Sequence, residues 1–326
     1  MNMLNLHEEF IKELRKRVPH RSELVSKISD ILHIERESAS RRLSEKVQFS
    51  VREIGLISRK LEISLDSMLY QNTPYHWVPL ILESPLGFRN LKSLCVFMEN
   101  TLAMMNKVVF QKGPIEYGAT INALPLEYYI GYPHLRKFMF FKWGQYRIGT
   151  DDYNDFSSWE LPDRVVQLNK IIEPLINGIH HAMYIWDESL IWTLVGEINY
   201  FRKMNVISVE DMELIKEDLK DLLVRLEKHL KGTSNLDVHP QNLCFYISNI
   251  NLGVTCWYMF SEEQKISSFN SHFISSANNN NLQGHTRLKN WINSFKNISV
   301  LISGSGELER RLFFAKQHNI IDSFLQ

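Results

Sequence analysis

Cysteine is scarce and scattered: Cys95, Cys244 and Cys256 are the whole complement, with no CxxC pair and no matching histidine spacing. That excludes a disulfide framework and a zinc knuckle, and it points to a reducing, cytoplasmic setting. Long hydrophobic runs are missing too, since nothing approaches the roughly 18 apolar residues that a membrane helix needs. The opening MNMLNLHEEFIKELRKR places charge where a signal peptide requires an apolar stretch. The expectation is a chain with no membrane partner. Net charge is also absent, with 37 Lys and Arg against 37 Asp and Glu, so affinity for a polyanion has to come from local clustering. There is no GxSxG, HExxH or GxxxxGK[ST] and no internal repeat, so no catalytic residue, metal ligand or cofactor is assigned.

What is present belongs to ordinary folded proteins: 44% apolar and 23% charged residues over a length of 326, enough for two domains. The first seventy residues carry helical periodicity. Leu4, Leu6, Phe10, Ile11 and Leu14 recur at helical spacing before Pro19 stops the element. Ser22 reads as the N-cap of a second helix with Leu24, Val25, Ile28, Ile31 and Leu32 on its apolar face. A third helix spans about 35–44, Ser50-Val51-Arg52-Glu53 is a capping box that opens a fourth, and Ser64 caps a short fifth. Cations bunch at Lys12, Arg15, Lys16, Arg17 and Arg21, and again at Arg36, Arg41, Arg42 and Lys46.

Residues 22–46 have the plan of a helix-turn-helix, in which buried Ile28, Leu32, Ile34, Ala39 and Leu43 bring two helices together and leave Arg36, Ser38, Ser40, Arg41 and Arg42 on other faces. Arginine pairs bidentately with guanine or clamps phosphate, and serine reaches base edges or phosphate oxygens. The stretch SELVSKISDILHIERESASRRLSEKVQFSVREIGLISRKLEISLDSML, residues 22–69, resembles the Cro/repressor-type (XRE-like) helix-turn-helix family. The resemblance implies that the helix at 35–44 reads the major groove of double-stranded DNA and that the start of the helix at Ser22 touches phosphate. It makes Ser22, Arg36, Ser38, Ser40, Arg41, Arg42 and Lys46 the candidate DNA-binding set. Three features depart from the family's pattern: His33 occupies the turn where Gly or Asn is usual, Glu35 and Glu37 lead the reading helix, and Glu45 stands where a terminal Gly is common. A single reading helix covers few base pairs, so a homodimer is expected.

Pro74, Pro79 and Pro85 mark a connection. Beyond it, helices are expected near 87–108, 134–146, 162–178, 187–204 and 208–231, the last opening on Ser208 with Asp211. After about residue 240, NLCFYISNI, GVTCWYMF, KISSFN, SHFISSA and VLIS read as short strands, with helices near 286–296 and from about 306. KFMFFKWGQYR and SVLISGSGELERRLFF resemble the carboxy-terminal domain of some uncharacterised bacterial XRE-like regulators, which implies an architecture and no activity. The expected fold is therefore α+β overall. It comprises an N-terminal all-α five-helix bundle over 1–72, a linker over 73–86, and a mostly helical domain over 87–326 with a small, mainly antiparallel sheet.

Three further groups of residues bear on function. The run Ser303-Gly304-Ser305-Gly306, between strand and helix, with Arg310 and Arg311, offers an anion site; this is the basis of an alternative in which the second domain acts on a phosphorylated small molecule. His180-His181 near Asp187 and Glu188, and Asp151, Asp152 and Asp155, read as solvated helix and loop residues rather than a metal site. The aromatics Phe138, Phe140, Phe141, Trp143, Tyr146, Tyr184, Trp186, Trp192, Tyr200 and Phe201 read as core, the alternative being a pocket for a small-molecule effector.

Overall fold

The structure is a computed structural model that describes residues 6–61, 63–65, 68, 81–83, 91–110, 113–147, 155–232, 242–271, 274–278 and 282–325. The chain divides into two compact units, Met1–Pro79 and Leu80–Gln326.

The first unit packs α1 (Leu6–Arg17), α2 (Arg21–Leu32), α3 (Arg36–Leu43) and α4 (Val51–Leu61) around Phe10, Leu14, Ile28, Ala39 and Ile57, all 0% exposed. The expected fifth helix falls largely outside the described residues. Ser22 is not an N-cap: α2 starts one residue earlier, and the capping position belongs to His20, whose side chain makes no cap bond. The Ser50 box is formed, with the Glu53 amide donating to Ser50 Oγ and the Ser50 amide donating to the Glu53 carboxylate. Arg15 and Arg17 are spent within the fold, donating to the carbonyls of Leu43 and Leu61 at the ends of α3 and α4, where a cation also complements the helix dipole.

The second unit corrects the expected fold class. Its sheet is not small, and it is mixed rather than antiparallel alone: among the described residues, eight strands form one sheet in the order β1-β7-β6-β5-β2-β3-β4-β8. The strands are β1 (Ile81–Glu83), β2 (Glu116–Ile121), β3 (His181–Asp187), β4 (Asn242–Ser248), β5 (Thr255–Phe260), β6 (Lys265–Ser271), β7 (Ile274–Asn278) and β8 (Ser299–Leu301). β2, β3 and β4 run parallel, with Glu116 opposite His181 and His181 opposite Asn242, and the remaining pairings are antiparallel. β1 lies inside the segment expected to be a linker.

Parallel neighbours need long crossovers. Here α5 (Leu91–Val109) precedes β2, and α6 (Leu126–Tyr129), α7 (Pro133–Arg147), α8 (Asp163–Gln167) and α9 (Asn169–Asn177) join β2 to β3. α10 (Leu190–Lys203) and α11 (Val209–Leu230) join β3 to β4. Both crossovers pack on one sheet face, where Ala119, Tyr184, Trp186 and Phe245 meet Phe138, Leu194 and Leu219 in a single core. The opposite face, through Met183, Ile185, Cys256 and Tyr258, meets α12 (Leu282–Ser294) at Ile292. The terminal helix α13 (Glu307–Phe324) returns to the larger core through Phe313, Phe314 and Ile321.

Candidate nucleic-acid interface

The turn between α2 and α3 is built by a left-handed residue. His33 sits at φ 53, ψ 47, and its amide bonds to Ser29 O, as does that of Ile34 at 3.1 Å. Ser29 Oγ returns a bond to Ile34 O at 2.6 Å. Histidine therefore takes the conformation that glycine would take more readily, and Glu45 does the same at φ 63 beyond α3. Both departures from the family pattern are accommodated by the backbone.

Ala39 and Leu43 face the core, so at about 100° per residue the opposite side of α3 is the Glu37–Arg41 line, flanked by Ser38 and Ser40. Arg41 and Glu37 are exposed and bond to each other at 2.8 Å. Arg42 lies elsewhere: it reaches Glu53 at 2.9 Å and donates to Ser38 O, with only 21% of its side chain exposed. It braces α3 against the cap of α4 and is withdrawn from the candidate reading set. Partial burial would raise the Glu53 carboxyl, but the Ser50 amide and the Arg42 guanidinium outweigh it and hold it below the usual carboxylate range.

The remaining cations divide cleanly. Lys12, Lys16 and Lys27 pair with glutamates on their own helices. Arg21, Arg36 and Lys46, and likewise Arg52, Arg59 and Lys60 on α4, are exposed and, among the described residues, join none of the ion pairs or side-chain hydrogen bonds. Neither α2 nor α3 has a side-chain N-cap, His20 and Glu35 both standing by without a bond, as is also the case for α6, α8, α9, α10 and α13, while α4 and α11 carry capping boxes. The first-turn amides of α2 and α3 are thus donors with no side chain from the fold assigned to them. Arg21 belongs to the first cationic cluster of the sequence but lies outside the candidate set, which begins at Ser22, whereas α2 begins at Arg21.

Most of the donors expected for an anion at 303–311 are engaged within the fold. Ser303 is 5% exposed and its Oγ accepts from the Phe245 amide at 3.0 Å. The amides of Gly304, Gly306 and Glu307 donate to Leu230 O, Ser303 O and Ser305 O. Arg310, 3% exposed, turns inward and donates to the carbonyls of Ile302 at 2.9 Å, Gly304 at 3.2 Å and Leu230 at 3.5 Å. The glycines answer geometry: Gly304 has φ 56, and a Cβ on Gly306 would stand 2.1 Å from Leu301 O. Ser305 and Arg311 are exposed, but the donors expected beside them are committed to the latch that ties α13 to β4, β8 and the end of α11.

The histidine pair lies on a strand entry rather than on a helix. His180 Nδ1 accepts from the Ile115 amide at 3.1 Å, and His181 starts β3. Asp187 ends that strand about 20 Å away at 3.3 Å per residue; it is buried and accepts from the Leu252 and Ser189 amides. Asp151 and Asp152 lie outside the described residues, and Asp155 caps its own turn through the Ser157 amide. The aromatics interlock as core, Phe138 against Phe201 at 5.5 Å and Trp186 against Phe245 at 4.9 Å, but Trp192 and Tyr200 are exposed. Tyr146 has no described side chain.

A second polar cluster went unnoticed in the sequence. Tyr258 donates to Glu116 at 2.8 Å, Lys289 pairs with the same carboxylate, and His285, 4% exposed, stacks edge-on to Tyr258 at 5.8 Å. Gly118 makes room for it, since a Cβ there would lie 2.3 Å from the Tyr258 ring. Burial, and then the charges of Lys265 and Lys289, push His285 down to about 4.

No protein-family model, no curated protein and no solved structure matches this chain.

Proposed function

We propose that the chain is a sequence-specific DNA-binding regulator of the XRE-like kind, with α3 entering the major groove and a homodimer reading two half-sites. The observation that carries the reading is the pairing of two uncapped helix N-termini, on α2 and α3, with exposed Arg21, Arg36 and Lys46, which join no ion pair or side-chain hydrogen bond among the described residues. Uncapped amides and free cations together suit phosphate oxygens. Arg41, with Ser38 and Ser40 beside it, is the candidate for base edges, and Glu37 holds it in place before contact. The second unit serves dimerisation or sensing of a small-molecule effector.

A reducing, cytoplasmic location fits the unpaired thiols of Cys95, Cys244 and Cys256. Among the described residues, no helix is long and apolar enough to cross a membrane. The test is fluorescence anisotropy of the full chain on a selected duplex, against random duplex at fixed salt. A specific complex tighter by at least about 10³-fold is expected, weakening as salt rises. Equal binding to both duplexes sinks the reading.

A further inference from the structure

α13 has two apolar faces, and the fold uses one. Arg310, Phe313, Phe314, Gln317 and Ile321 are buried against the second unit. On the opposite side Leu308 and Leu312 are each 64% exposed. At 100° per residue they share a stripe with Ala315 and Asn319, spaced four, three and four apart, which is the a/d pattern of a heptad. Along this stripe runs a shallow groove of about 440 Å³ lined by Leu312, Ala315, Lys316, Asn319, Ile320 and Phe324. Its far end is walled by Phe324, which meets exposed Trp192 edge-on at 4.5 Å. Contiguous apolar exposure of this kind marks an interface.

We propose that the occupant of this face is α13 of a second copy of the chain, lying antiparallel across a two-fold axis between Leu312 and Ala315. Charge decides the occupant and its direction. In the heptad frame, Glu309 and Lys316 both hold e positions and Arg311 a g position. Antiparallel helices bring e beside e and g beside g, placing Glu309 against Lys316 of the second copy twice over and Arg311 beside its His318, counted neutral at pH 7, and set each Leu312 against a small Ala315. Parallel helices bring g beside e and would set Arg311 against Lys316, a repulsion. Lys316 now pairs with Glu188, both about half exposed; a surface pair of that kind is worth at most about 1 kcal/mol and can be exchanged. A two-fold between Leu312 and Ala315 overlaps residues 307–320 of each helix, about 21 Å at 1.5 Å per residue, so the contact belongs with the smaller interfaces and a micromolar Kd is expected.

This deepens the dimer part of the function proposed above and is tested without DNA. Sedimentation equilibrium of the full chain is expected to show a monomer–dimer equilibrium in the micromolar range. Leu312→Asp, a change at a solvent-facing position, weakens it by at least about tenfold. Leu308→Asp repeats the test should the first variant lose its helical circular dichroism. Glu309→Lys also weakens the dimer, and Glu309→Lys/Lys316→Glu restores it. A dimer untouched by either leucine variant places the contact elsewhere and overturns the proposal while leaving a dimer. A wild-type chain monomeric at hundreds of micromolar overturns the dimer reading with it. Failure of the charge swap to restore a dimer that the leucines do control overturns the antiparallel arrangement.

Discussion

Arg41 and Arg42 are neighbours in sequence but differently placed, so under the proposed function replacing each by alanine separates stability from recognition. Arg42 bridges to Glu53 at 2.9 Å with both side chains about one-fifth exposed, and it also donates to Ser38 O. Its removal leaves a half-buried carboxylate held only by Ser50. A buried pair broken from one side loses about 3–5 kcal/mol; for this partly exposed pair, roughly 1–2 kcal/mol is expected. In a unit of this size that lowers the transition by about 4–8 °C per kcal/mol. Arg41 makes one exposed i,i+4 pair with Glu37, worth about 0.3–0.5 kcal/mol, so its loss barely moves the transition. Against DNA the order reverses: Arg41→Ala weakens the specific complex by about 1–3 kcal/mol, the value of one bidentate base contact. Arg42→Ala leaves affinity near wild type once the protein is folded. Calorimetry of the full-length variants and anisotropy titrations on one selected duplex read the two effects. Equal destabilisation by both, or a greater affinity loss in Arg42→Ala, would refute the division of roles.

Glu37→Gln frees Arg41 and removes a negative charge from the outward line of α3, so under the proposed function affinity measured at constant salt should rise a few-fold, about 0.5–1 kcal/mol; a fall in affinity would make Glu37 a base reader instead. Gly306→Ala forces a Cβ to within 2.1 Å of Leu301 O and should destabilise the second unit by more than about 2 kcal/mol, whereas Gly304→Ala at φ 56 should lose about 1–2 kcal/mol in denaturant titrations. Comparable losses would remove the close approach as the cause. Burial and two lysines hold His285 near 4 against an ordinary 6.5. The unfolded chain therefore binds the extra proton first, and stability present above about pH 6.5 declines toward pH 4, by on the order of 1–3 kcal/mol. His285→Leu should flatten that limb of the stability profile, and an unchanged slope would refute the assignment.

The helices were legible because each shows one buried stripe and a local stop: Pro19 after α1, the Ser50 and Ser208 boxes before α4 and α11. Strands β4 to β8 were legible through β-branched and aromatic runs broken by polar turns. β2 and β3 were not. EYGATI and HAMYIWD are covered on both faces, so they lack the alternation of a half-buried strand, and Gly118, Ala119 and Ala182 carry little strand propensity. Without these two central parallel strands, and without β1, the eight-stranded mixed sheet reads as a small antiparallel one. In the candidate site, sequence spacing found the outward residues of α3, but it could not tell that Arg42 faces Glu53, because that contact joins helices through a loop. It likewise read Ser303 to Arg311 by composition, where Gly306 answers to Leu301 and Arg310 to three carbonyls.

Selection from a random duplex pool with the full-length protein, run beside an Arg36→Ala/Arg41→Ala variant that leaves the Arg42–Glu53 brace intact, tests the central proposal most directly. The proposal predicts enrichment of an inverted repeat with half-sites one helical turn, about 34 Å, apart or a multiple of it, and loss of that motif in the folded variant. Folded wild-type protein that enriches no motif at low salt, or a variant that enriches the same motif equally well, would contradict it.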